Sequence, residues 1–154
     1  MASAYTNTNG FITEESPKFV AVGYEGNILT SSDGISWTSR TSGTSEYLYD
    51  VTFGNGTFVI VGDKGTILSS SDGISWTSRT SGTSNALFGV VYANNTFIIT
   101  GGSGTVLTSS NASSWTSRTS GASGSIYKVN FGNNLFVGVI GNSNGGIYTS
   151  SDNG

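Results

Sequence analysis

The 154-residue chain has no cysteine and no histidine, one proline, and six basic against nine acidic residues. Each shortage removes a class of function. Without cysteine there is no disulfide, no thiolate nucleophile and no thiolate zinc site; without histidine the commonest general base is missing too. A net charge of −3 with six scattered basic residues leaves no footprint for a phosphate backbone, so nucleic acid is not an expected partner. No apolar run approaches the roughly twenty residues that span a bilayer. The opening MASAYTNTNG has neither the basic nor the apolar section of a secretory signal. These absences predict a soluble chain with no membrane insertion. A helical apolar period is also lacking. What is abundant is glycine, in 23 copies, together with Ser, Thr and Asn, the residues of tight turns. Phe, Tyr, Trp, Val and Ile recur among them at regular spacing and supply a core.

The spacing is a repeat. SSDGISWTSRTSGTS at 31–45 returns letter for letter at 70–84, and Trp37, Trp76 and Trp115 stand 39 residues apart. Arg40, Arg79 and Arg118 keep that period, as do Phe19, Phe58, Phe97 and Phe136, and Gly23, Gly62 and Gly101. The last copy carries a short insertion, which displaces Asp152 by two residues. A period near forty marks an array of supersecondary units. Within one unit, DVTF, TFVIVG, TILSS and ISWTSR read as four short strands, with GNG, DKG and Asp72-Gly73 as turns, the last as a two-residue type I′ hairpin. The apolar run Phe58 to Val61 predicts a strand buried on both faces. WTSRTSG reads as an outer strand whose Ser/Thr-rich edge little protects.

Four antiparallel strands in about forty residues make one blade of a β-propeller. The expected fold is therefore all-β, a propeller of about four four-stranded blades, at approximately 10–48, 49–87, 88–126 and 127–154. By this reading the chain opens near a first strand at Phe11 to Thr13 and stops before the fourth strand of its fourth blade. The missing strand is expected from residues 2–8, closing the ring, or from a second copy in a homo-oligomer.

The segment SSDGISW resembles the Asp-box, the bacterial neuraminidase repeat of sialidases and other propellers. Ser31, Asp33, Gly34 and Trp37 match it in type, as do Ser70, Asp72, Gly73 and Trp76. The Asp-to-Trp spacing is one residue short, and the third copy has Asn111 and Ala112 instead. The whole unit also looks like repeats of bacterial and phage surface proteins and of photosystem II assembly-factor propellers. The resemblance implies a structural role for Asp33, Gly34, Trp37, Asp72, Gly73, Trp76, Trp115 and Asp152: the carboxylate accepts turn amides, Gly supplies positive φ, and Trp staples the hairpin.

A sialidase site would need three arginines on one substrate carboxylate. Arg40, Arg79 and Arg118 occupy one repeated position and would be spread around the ring, so no catalytic residue is assigned. Glu14, Glu15, Glu25, Asp50 and Asp63 read as turn and surface acids, and the glycine-rich segments lack the lysine-serine ending of a phosphate loop. No cofactor or metal is expected. The positions that differ between copies, Tyr24, Tyr47, Tyr49, Asp63, Lys64 and Asn142, form the candidate binding surface, suited to a glycan or protein partner. The leading expectation is a non-catalytic binding module on a cell or virion surface. An assembly factor of the photosystem type, an engineered or truncated repeat fragment with no function beyond folding, and a sialidase-like glycosidase are the alternatives.

Overall fold

Turn chemistry sets the strand lengths. At Asn55–Gly56, Asn94–Asn95 and Asn133–Asn134 both residues have positive φ, from 46° to 71°. This is the type I′ arrangement, whose twist suits flanking antiparallel strands, and Asn and Gly tolerate it best. The computed structural model describes residues 3–6, 17, 19–141 and 145–151. Its first sheet holds β1 (Ser3–Thr6), β2 (Phe19–Val22), β3 (Ile28–Ser31) and β4 (Thr38–Arg40). The second holds β5 (Leu48–Gly54), β6 (Thr57–Gly62), β7 (Ile67–Ser70) and β8 (Thr77–Arg79). The third holds β9 (Leu87–Ala93), β10 (Thr96–Gly101), β11 (Thr105–Ser109) and β12 (Thr116–Thr119). The fourth holds β13 (Ser125–Gly132), β14 (Leu135–Gly141) and β15 (Gly146–Ser150). Every sheet is antiparallel with strands in chain order, as a propeller of repeated blades requires.

One short 3-10 turn follows the second strand of the first three blades, at Tyr24–Gly26, Asp63–Gly65 and Gly102–Gly104. The closing glycine there is obligatory for two reasons. Gly26, Gly65 and Gly104 have φ near +70°, and a Cβ on them would collide with the carbonyls of Thr44, Thr83 and Ala122. Those carbonyls lie on the chain leaving the blade, so backbone contact fixes how each blade hands over to the next.

The blades pack by a repeated two-faced contact. Val20, Val22 and Ile28 of the first blade are buried with Phe58, Ile60 and Leu68 of the second. Val59, Val61 and Ile67 of the second are buried with Phe97, Ile99 and Leu107 of the third. Ile98 and Val106 then meet Phe136 and Ile140 of the fourth. Each blade thus has a leading face, rich in Phe and Leu, and a trailing face, rich in Val and Ile. At about 1.5–3 kcal/mol per fully buried side chain, these contacts supply most of the stabilisation that the sparse charges cannot.

Several expectations need correction. Residues 2–8 do contain a strand, but Ser3–Thr6 pairs with Phe19–Val22 in the first blade, where it covers the inner edge of β2, and not with β15 of the last. Phe11 to Thr13 lie outside the described residues. Asp72-Gly73 is not a two-residue type I′ turn: Gly73 has positive φ but Asp72 does not, and six residues separate β7 from β8. The cause is the Asp side chain, which captures the amides that a tighter hairpin would pair. Finally, double-sided burial holds for β6 and β10, whereas β14 alternates, with Val139 51% exposed.

Candidate binding surface

The inner strands of the second, third and fourth blades each carry a bulge at the same place. Pairing skips one residue between Leu48 and Asp50, Leu87 and Gly89, and Ile126 and Lys128. The skipped residues are Tyr49, Phe88 and Tyr127, 39 residues apart. A bulge re-aims its side chain, and here it brings three rings into a row: Tyr49 and Phe88 lie 5.4 Å apart and Phe88 and Tyr127 4.9 Å. Tyr24 and Tyr47 form an edge-to-face pair at 4.7 Å beside them. Tyr24, Tyr47 and Tyr127 are exposed and Tyr49 and Phe88 half-buried. The result is an arc of five rings crossing from the first blade to the fourth.

Polar groups fix this arc. The Tyr49 hydroxyl donates to Asp63 Oδ1 at 2.9 Å, and burial, then this bond, pushes the phenol up to about 12. The Asp63 amide donates to the Tyr47 carbonyl at 2.9 Å. Lys64 Nζ meets Glu46 Oε1 at 2.9 Å, which raises the lysine. On the same inner strands, Lys128 Nζ reaches Asp50 Oδ2 at 2.8 Å, across the intervening blade. Asp50 also accepts the Val90 amide at 3.0 Å. Gly89 keeps that path open, since a Cβ there would lie 3.0 Å from Thr100 Oγ1 and 3.2 Å from the Val129 nitrogen.

Five of the six proposed surface residues, Tyr24, Tyr47, Tyr49, Asp63 and Lys64, fall together here. Asn142 lies outside the described residues. Phe88 and Tyr127 belong to the arc and were missed, although their 39-residue offset from Tyr49 was the signal.

The turn residues lie elsewhere, on the outer edge. Asp33 Oδ1 accepts the amides of Ile35 and Ser36 at 2.8 Å and the Ser31 hydroxyl at 2.9 Å. These bonds, led by the Ile35 amide, lower its carboxyl to about 2. Asp72 repeats the set with Ile74, Ser75 and Ser70 and is lowered too, the Ser75 amide being the largest cause. Asn111 does the same work in the third copy, accepting from Ser113 and Ser114 at 2.9 and 3.0 Å. Asp152 is outside the described residues. Trp37, Trp76 and Trp115 each lean on the Phe of their own blade, at 6.2 to 6.4 Å. Arg40, Arg79 and Arg118 donate to Thr30, Ser69 and Thr108 of the neighbouring strand in their own blade, so no two meet on one site. A cleft of about 290 Å³ opens between the third and fourth blades, where Gly138 stands in place of Ile60 and Ile99. Among the described residues no three acids gather as a metal site, and no helix is long and apolar enough to cross a membrane.

This stack of repeated blades, with a bulge-borne aromatic surface on its inner strands, defines a β-propeller. No family model matches the sequence, and no curated protein matches it. Among solved structures, the computationally designed Ika4 protein superposes with a TM-score of 0.70 at 13% identity, over 96% of this chain and 88% of its own. YCF48 from Cyanidioschyzon merolae gives 0.66 at 18%, and YCF48 bound to D1 peptide gives 0.67 at 17%. These cover 90% and 91% of this chain but 49% and 46% of theirs, so the chain spans about half the length of YCF48.

Proposed function

We propose that the chain is a non-catalytic binding module that captures a protein segment on the aromatic arc of its inner strands. The observation that carries this is the row Tyr49, Phe88 and Tyr127, with the exposed pair Tyr24 and Tyr47 beside it. Half-exposed rings offer large contact area at low conformational cost, as interface hot spots do. With Lys64 paired to Glu46 and Lys128 to Asp50, Glu25 and Asp63 leave the surroundings of the rings net acidic, which, with a net charge of −3, favours a segment that pairs apolar with basic side chains. A propeller of the same fold, YCF48, is known with a D1 peptide bound, which supports a peptide as the kind of partner. Placement on a cell or virion surface belongs to the same proposal and rests on the resemblance of the unit to surface-protein repeats.

The test is to probe the labelled chain, and its Tyr47→Ala/Tyr127→Ala variant, against an array of overlapping peptides and an array of glycans. The expected result is retention of basic, apolar-containing peptides by the parent and its loss in the variant, with unchanged circular dichroism. Retention of glycans alone through the same rings would replace the peptide reading with a sugar-stacking one. Binding indifferent to both substitutions would sink the arc as the site.

A further inference from the structure

The three internal blade contacts leave one face over at each end of the stack. On the first blade the uncovered face is the leading one: Phe19 and Ala21 on β2, with Leu29 paired to Ala21 as Leu68 is to Ile60 and Leu107 to Ile99. Leu29 is 39% exposed, while Leu68 and Leu107 are each at 2%. On the fourth blade the uncovered face is the trailing one. Val139 pairs with Ile147 as Val61 pairs with Ile67 and Val22 with Ile28. Val139 is 51% and Ile147 73% exposed, against 0% for both Val61 and Ile67. Among the described residues the inner strands neighbour each other in the order β1, β5, β9, β13, and β13 has no comparable packing on β1.

The two open surfaces are the two halves of a contact the molecule already makes three times. We propose that two copies of this chain join through them, the trailing face of each on the leading face of the other, closing a two-fold ring of eight blades. This goes beyond the binding reading and does not depend on it. A leading-on-trailing contact is heterologous and must close or propagate. Closure by two copies leaves neither an open apolar face nor an open end, and each new junction continues the Val/Ile-on-Phe/Leu packing of the internal ones.

Light scattering coupled to size exclusion on the full chain, over a concentration series, tests the proposal. The expected mass is twice the 15.9 kDa of the chain and does not grow with concentration. Each junction needs one leading and one trailing face, so one substitution removes both: Ile147→Asp, or independently Leu29→Ser on the opposite blade, is expected to return the single-chain mass with the circular dichroism spectrum kept. Ile35→Asp is the control, since Ile35 is 84% exposed on a turn and belongs to neither face; its mass is expected to stay doubled. A parent chain of single mass at all concentrations, species that lengthen with concentration, or a doubled mass surviving both face variants would each overturn the closed pair.

Discussion

Residues 31–45 and 70–84 have the same sequence and the same hydrogen bonds, yet different surroundings. In both, the Ser hydroxyl receives the amide of the turn Gly at 2.8 Å and the Asp carboxylate receives two further amides at 2.8 Å. Trp37, however, is 41% exposed, while Trp76 packs against the buried cluster shared by the first and second blades. Local structure is written in the segment; burial is conferred by the blade in front of it. The first copy has no such blade within the described residues.

Sharpening that contrast begins with the indoles. Trp76→Ala should cost about 3 kcal/mol, at the lower end for a large aromatic because the ring is only partly buried. In the single-chain Ile147→Asp background Trp37→Ala should cost about 1 kcal/mol in the same urea titration, since a ring exposed there forfeits little area. In the parent pair, where the first blade is covered, the Trp37 cost should rise toward that of Trp76 and fall again when Leu29→Ser is added; a parent cost that stays at about 1 kcal/mol would mean that the first blade is open in solution.

Acid provides the next test. A carboxyl held below its unfolded value contributes stability above that value and loses it as pH falls through the folded one. For Asp33 this contribution is complete above about pH 4 and disappears toward about 2, and Asp72, also lowered, acts in the same sense. Asp33→Asn and Asp72→Asn should keep the turn, as Asn111 already does in the third copy, while flattening the acid limb of the stability profile. An acid limb unchanged in the double variant would show that other carboxyls dominate it.

The smallest effect is at the other end of the pH scale. Tyr49, raised to about 12, contributes stability that is full below about pH 10 and is lost as pH rises through 12. Tyr49→Phe should delete the latest-titrating phenol from the ultraviolet absorbance and leave neutral-pH stability within about 1 kcal/mol. A titration curve that keeps its last component would place the high value on another tyrosine.

The fold was legible because Trp37, Trp76 and Trp115 share one interval and each interval contains a complete set of strands. The aromatic surface was half legible. Tyr24, Tyr47, Tyr49, Asp63 and Lys64 stand out because their positions vary between copies, but Phe88 and Tyr127, which occupy the Tyr49 position in the next two copies, join the surface through bulges that no local composition announces. The pairing of Ser3–Thr6 is not legible for a related reason: ASAYTNT has strand propensity, but propensity does not name a partner, and the partner is the edge that β2 would otherwise leave unpaired. The contrast between β14 and its equivalents β6 and β10 is also invisible to pattern, since Val137 and Val139 are as apolar as Val59 and Val61.

The glycines at 26, 65 and 104 have a mechanical corollary. Each locks the exit of its blade onto the turn of that same blade, while the apolar contacts between blades reach only to the next neighbour and the Lys128–Asp50 pair spans one blade. Stretched between its ends, such a molecule should give way one unit at a time. Each rupture would release about 14 nm of slack, the extended length of 39 residues at about 3.5 Å apiece, and in a single copy the end units, packed on one side only, would be the first to tear.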